Sequence, residues 1–298
     1  MEQALETDIV QVFDWRQLLR DFYDLSKPGI GFYALITTAT AFWLASETFD
    51  FMLFLHTIIA TALVTCGGGA LNQVIEVSDD KLMHRTEKRP LPSGRVPLSS
   101  GLIFGVGTSI AGVIYMQLFV GSLASLLAIG TLIGYLFVYT PLKKRTSLST
   151  LVGAVPGAIP ILIGWVAVTK SIDLRGWVLF AILFFWQIPH FLAIAWMYRK
   201  DYARAGFPML TVVDPEGVSA AHQILVYVLA LVPISLIPTM LHLTGWVYFF
   251  GALILGIGFT ISGFRTAIAR TNQSAKQLMF ASIIYLPVLL VLMVLDKL

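Results

Sequence analysis

NQVIEVSDDKLMHRTEKRPLPSGR, Asn72 to Arg95, follows directly on an apolar run of membrane length. Asn72, Glu76 and Asp80 are spaced four residues apart, which on a helix aligns them along one stripe. Asp79 is seven residues from Asn72, almost two turns, and falls near the same stripe. Five bases follow: Lys81, Arg85, Lys88, Arg89 and Arg95. Carboxylates on one stripe at a membrane surface, with bases beside them, suit a Mg²⁺-bound phosphate, because Mg²⁺ is commonly held by one or two carboxylates plus substrate phosphates. The competing reading is a solvated loop whose charges stop the helix from sliding into lipid. The rest of the chain decides between them.

Hydrophobic residues make up 57% of the chain and charged residues 12%, against about 25% charged in a soluble domain. Apolar runs of about 20 residues recur from end to end. We read nine spans, at 29–46, 51–75, 99–118, 121–140, 148–169, 176–197, 219–239, 244–264 and 277–296. The expected fold is therefore all-α, a polytopic membrane protein, with residues 29–298 as one transmembrane domain. Residues 1–28 form a cytoplasmic N-terminal segment. It is acidic and lacks a long apolar core, so it reads neither as a signal peptide nor as a transit peptide. Trp15, Leu18, Leu19, Phe22 and Tyr23 within it follow helical spacing and predict an amphipathic helix on the membrane surface. A single cysteine, Cys66, excludes an intramolecular disulfide and a zinc cluster.

The bases divide by side. Arg16, Arg20 and Lys27 precede the first span. The five above follow the second, Lys143 to Arg145 the fourth, Arg199, Lys200 and Arg204 the sixth, and Arg265, Arg270 and Lys276 the eighth. That is seventeen of the 20; only Lys170, Arg175 and Lys297 fall on the other side. The bias puts the N-terminus and the even loops in the cytoplasm. It also accounts for the basic pI without nucleic acid as a partner. The partner is the lipid bilayer.

Three further stretches carry polar chemistry. Gly67-Gly68-Gly69 gives the second span a bare face, for close helix packing and with room for a bulky ligand. Lys143, Lys144 and Arg145 can clamp a diphosphate or anchor the topology. Behind them, GAVPGAIP (153–160) predicts a kinked helix whose freed carbonyls face protein or a cavity. Gln187 and His190, three apart in an apolar span, share a helix face, and polar groups there are functional by default. His190 suits a general base, a haem contact or a satisfied core histidine. The loop after it supplies another carboxylate, Asp201.

On these stretches the chain resembles the UbiA superfamily of intramembrane prenyltransferases. SKPGI from Ser26, ALNQVIEVSDDKLMHRTEKRPLPSGR from Ala70 and YTPLKKRTSLSTLVGAVPGAIPILIGW from Tyr139 carry the likeness. RTEKRPLPSG, WQIPHF from Trp186 and DYARAGFPML from Asp201 point to its haem-prenylating branch. The first motif departs from the family's aspartates at Glu76. The second aspartate-rich motif is thin, with Gln187, His190 and Asp201 in its region.

The resemblance implies nine helices around a central cavity in a bacterial cytoplasmic (inner) membrane. It implies farnesyl transfer from farnesyl diphosphate to a vinyl group of protohaem IX (haem b), with addition of water, giving haem O and diphosphate. Asn72, Glu76 and Asp80 would hold Mg²⁺. Arg85, Lys88, Arg89, Lys143, Lys144 and Arg145 would bind diphosphate, and Gln187, His190 and Asp201 would serve the substrates, with His190 catalytic. A haem A synthase or a terminal oxidase assembly would be the partner downstream. An aromatic or quinone-precursor acceptor is the alternative within the family. A transporter would instead place its polar residues at the midplane of several helices.

Overall fold

The computed structural model describes residues 14–298, so the first thirteen residues of the predicted N-terminal segment lie outside it. Its helices are α1 (Trp15–Leu25), α2 (Pro28–Ala45), α3 (Phe51–Ile75), α4 (Val77–Asp80), α5 (Leu98–Phe119), α6 (Ser122–Ile133) and α7 (Thr140–Leu142). They continue with α8 (Ser149–Thr169), α9 (Leu174–Met197), α10 (Arg199–Arg204), α11 (Leu210–Val213), α12 (Val218–Met240), α13 (Trp246–Ala269) and α14 (Asn272–Leu295). A π-helical segment, Gly134–Tyr139, joins α6 to α7, and the three make one span, Ser122–Leu142. Among the described residues there are nine helices long and apolar enough to cross a membrane, and no strand. The chain is thus the all-α polytopic membrane protein that its apolar runs predict.

The spans form a closed ring. Neighbours in sequence pack together, α3 on α5, α8 on α9, and α12 on α13 and α13 on α14, and α14 returns to touch both α9 and α2. The centre belongs to α8 and α9, whose apolar windows are 67% and 61% buried inside the protein, against 22–39% in the other spans. The helix proposed to be kinked, α8, is helical throughout, with Pro156 and Pro160 in its interior. Its Gly153, Pro156, Gly157 and Pro160 face the cavity described below.

The triple glycine answers both of its readings. A Cβ on Gly67 would stand 2.6 Å from the Ser109 backbone nitrogen of α5. Gly68 lines the cavity. A Cβ on Gly69 would stand 2.8 Å from the Ser26 carbonyl, in the turn between α1 and α2. Three consecutive positions, about 100° apart around the helix, thus meet three different neighbours.

The opposite end of the ring is closed by two lysines. Lys170 Nζ donates to the Ala167 carbonyl at 2.6 Å and the Val120 carbonyl at 3.0 Å. Lys297 donates to the Trp43 carbonyl at 2.7 Å and to that of Ser46. Both satisfy carbonyls that helix ends leave without partners.

Gly67→Ala should force α3 and α5 apart at a backbone contact. Overpacking of this kind costs about 1–3 kcal/mol. We expect a lower midpoint in thermal unfolding of the purified protein in detergent, with the helical content before unfolding retained.

Candidate active site

The predicted helical stripe is broken in the middle. Helix α3 ends at Ile75, Glu76 sits outside helical geometry at φ −95° and ψ 9°, and the chain restarts as α4. Both aspartates lie beyond the break, side by side in α4, and each of the three carboxylates meets a different base. Glu76 accepts from Lys143 at 2.6 Å, Asp80 from Arg89 at 2.9 Å, and Asp79 Oδ2 lies 2.8 Å from Lys144 Nζ. All three carboxylates are buried. Asp79 Oδ2 lies near its lysine without the angle of a hydrogen bond, leaving a buried oxygen short of a donor.

Lys27 is the residue that sequence reasoning missed. The sequence offers it as a topological base and as part of the SKPGI stretch, with no role in the site. It takes a left-handed backbone, φ 52°, at the N-terminal end of α2, a conformation costing an L-residue about 1–2 kcal/mol. The strained turn, made possible by the bare flank of Gly69, sends its ammonium to Asn72 Oδ1 and to within 3.4 Å of the Tyr135 hydroxyl. Asn72 Nδ2 in turn donates to Thr140 Oγ1 at 2.9 Å. Burial pushes Lys27 down to about 7; Glu76 and Asp80 act to keep its proton, while Arg89 and Lys143 act to expel it. The same partners explain Glu76. Burial alone would raise it, but Lys143 and Lys27 outweigh that and hold it below the usual carboxylate range. Lys27, Glu76, Asp80, Arg89 and Lys143 are therefore one electrostatic unit, with Asp79 turned aside to Lys144. A signal did exist in the sequence: a lysine directly before the proline that opens a helix sits against the positive end of the dipole and needs an anion nearby.

The remaining nominated bases divide. Arg85 donates to the Tyr202 hydroxyl at 2.8 Å and lies over the rings of Tyr198 and Tyr202, tying the loop after α4 to α10. Lys88 and Arg145 are exposed. Asp201 is buried, with Arg204 3.6 Å away, and is not among the carboxylates of the cluster.

A cavity of about 460 Å³ begins at Lys27, Tyr135 and Tyr139 and runs between α2, α3, α8 and α9 to Trp186, Gln187 and His190. Its volume lies within the range of about 300–1,000 Å³ typical of ligand sites. Tyr135 and Tyr139 come from the π segment and stack with ring centroids 5.7 Å apart. Such segments frequently mark functional sites, and nothing in the apolar run announced this one. Gln187 donates to the Leu183 and Ala154 carbonyls at 3.2 and 3.4 Å. It lies so close to Gly157 that a Cβ there would collide with Oε1 at 2.1 Å. The His190 ring stacks on Trp186 at 5.2 Å, and its Nδ1 is 2.7 Å from Ser282 Oγ. The structure thus joins Gln187 to His190 along one cavity wall, as their spacing predicts.

Among the described residues, no three His, Cys, Asp or Glu side chains gather as a ready-made metal site. The donor chemistry still fits a hard divalent cation: three buried carboxylates stand in consecutive turns, one with an oxygen lacking a hydrogen bond.

A buried ionic cluster at the end of an apolar intramembrane cavity is the arrangement of an enzyme that handles a charged head on a greasy chain. The sequence matches the UbiA prenyltransferase family over residues 34–284, and the chain belongs to that family. It is an enzyme of the prenyltransferase class. A relative from Solibacter usitatus, named protoheme IX farnesyltransferase, is 47% identical over 289 residues, covering 94% of this chain and 99% of its own. One from Salinibacter ruber with the same name is 41% identical, covering 94% and 99%. Among solved structures, a UbiA homolog from Archaeoglobus fulgidus bound to GPP and Mg²⁺ superposes with TM-score 0.60 at 13% identity, covering 92% of this chain and 99% of that one. At that identity the likeness concerns the fold.

Lys143→Met should strand the buried Glu76 carboxylate. Removing one partner of a buried pair costs about 3–5 kcal/mol. Glu76→Gln in the same chain should recover most of the loss. Unfolding measurements on the two single variants and the double variant would read the coupling directly.

Proposed function

We propose that this chain transfers the farnesyl group of farnesyl diphosphate to a vinyl group of protohaem IX. The observation that carries the proposal is the single cavity with an ionic head at Lys27 and a Trp186–His190 wall at its far end. The curated relatives of the same length, named protoheme IX farnesyltransferase, supply the acceptor.

The bond between C1 of the farnesyl group and the diphosphate oxygen breaks, and the oxygen keeps the electron pair. The vinyl group's terminal carbon bonds to C1. Water then adds to the carbon next to the porphyrin ring and loses a proton, leaving a hydroxyl group. Glu76 and Asp80, with Asn72 beside them, would hold Mg²⁺, which when bound neutralises charge on the diphosphate. Lys27, Arg89 and Lys143 place positive charge where the leaving group becomes most anionic. A diphosphate next to Lys27 would also restore the proton that burial loosens. The apolar wall between Tyr33 and Leu183 takes the hydrocarbon and keeps water from the allylic cation. Gln187 and His190 stand on the acceptor side.

The base asymmetry orients the chain with its N-terminus and ionic cluster in the cytoplasm, in a bacterial cytoplasmic membrane. The exposed Trp15, Leu18, Leu19 and Tyr23 of α1 support its lying on the bilayer surface, in front of the membrane domain of residues 29–298. A haem A synthase or a terminal oxidase assembly would receive the product.

Purified protein given protohaem IX, farnesyl diphosphate and Mg²⁺ should yield haem O, identified by mass. A prenylated aromatic formed instead by the same protein would overturn the acceptor. Glu76→Gln and Asp80→Asn should each abolish turnover while the protein still inserts, and Asp79→Asn should be milder. A dead Asp79→Asn beside an active Asp80→Asn would exchange their roles. In a Cys66→Ser background, single cysteines at Thr48 and Lys170 should label only from the periplasmic side.

A further inference from the structure

Ser282, fully buried on α14, lies outside the ionic cluster and belongs to none of the motifs read from the sequence. Yet it holds two residues of the cavity wall. Its carbonyl accepts from Trp186 Nε1 at 2.9 Å, and its Oγ lies 2.7 Å from His190 Nδ1. The same Oγ lies 2.5 Å from the Met279 carbonyl, one turn back on α14.

These two short contacts fix the protons. A carbonyl has none to give, so the Ser282 hydroxyl must donate to Met279. Its only proton is then used. The contact with His190 needs a proton from the imidazole, and Nδ1–H supplies it. In the neutral ring, Nε2 is then a bare acceptor. Nε2 makes no hydrogen bond to any described residue, and His190 lines the cavity. The ring cannot turn freely to exchange its nitrogens, because Trp186 stacks on its face at 16° and is itself tied to the Ser282 carbonyl.

We propose that Ser282 is a positioning residue that locks His190 as the Nδ1–H tautomer, so that Nε2 presents its lone pair to the cavity as a ligand for the iron of a haem acceptor. Histidines that bind metals almost always donate their second ring N–H to an acceptor that fixes the tautomer, and losing that acceptor typically costs about 10–100-fold in affinity or activity. The assignment of the ligand rests on the function proposed above; the assignment of the tautomer does not.

The test uses the full chain in lipid nanodiscs, with ¹⁵N-labelled histidine and His190→Ala to identify the His190 signals. Wild type should show Nδ1 protonated and Nε2 bare. Ser282→Ala, and Ser282→Cys, which keeps the volume but donates and accepts weakly, should show mixed tautomers; Ser282→Thr, which keeps the hydroxyl, should restore the wild-type signal. A proton on Nε2 in wild type, or an unchanged spectrum in Ser282→Cys, overturns the proposal. Titration with ferric protohaem IX, followed in the Soret band, should show histidine ligation lost in His190→Ala, weakened about 10–100-fold in Ser282→Ala and recovered in Ser282→Thr. Wild-type affinity in Ser282→Ala overturns the role as well. Absence of haem binding by wild type would sink the ligand and the proposed acceptor, while the tautomer result would stand on its own spectrum.

Discussion

The structure turns on the buried pair between Glu76 and Lys143. A carboxylate taken out of water at the edge of a bilayer is tolerated only with a partner and further hydrogen bonds. That requirement brings the end of α3 against the segment after α7, which are distant in sequence. Once they meet, Asp80 can be answered by Arg89 and Asp79 by Lys144, and Lys27 closes the cluster from α2. The cost of burying these charges is also their use. Side chains held by one another in a dry place need little reorganisation when a charged ligand arrives, and their fields are less screened than in solvent.

The cavity behind the cluster follows from the same economy. Several polar groups along its wall are already held: the Gln187 amide by helix carbonyls and the His190 Nδ1 by Ser282. The surface left to a ligand is mostly apolar with two aromatic ends, Tyr135 with Tyr139 and Trp186 with His190.

The spans were legible because a membrane leaves helices few alternatives, and an apolar run of the right length can hardly be anything else. Their ends were less so. Helix α14 begins at Asn272, five residues ahead of the apolar span at 277–296, because Thr271 and Ser274 cap it reciprocally. The carboxylates and the Gln187–His190 face could be read from spacing. The break at Glu76 could not, since nothing in VIEVSDD departs from helical pattern. Lys27 was hidden because its role depends on an αL turn and on a bare flank of another helix. Ser282 was hidden for a similar reason: one serine in an apolar span is unremarkable until the helix opposite brings a histidine to it.

The glycine run of α3 constrains motion as well as packing. Three successive residues point across about 200° of the helix circumference. Around that arc stand the α5 backbone, the cavity wall and the Ser26 carbonyl. A helix hemmed in on so many sides has no room to roll, and at this level α3 is an axle. Any opening that admits a long prenyl chain must therefore come from the elements around it, and the carboxylates that follow α3 are fixed to the part of the molecule that moves least.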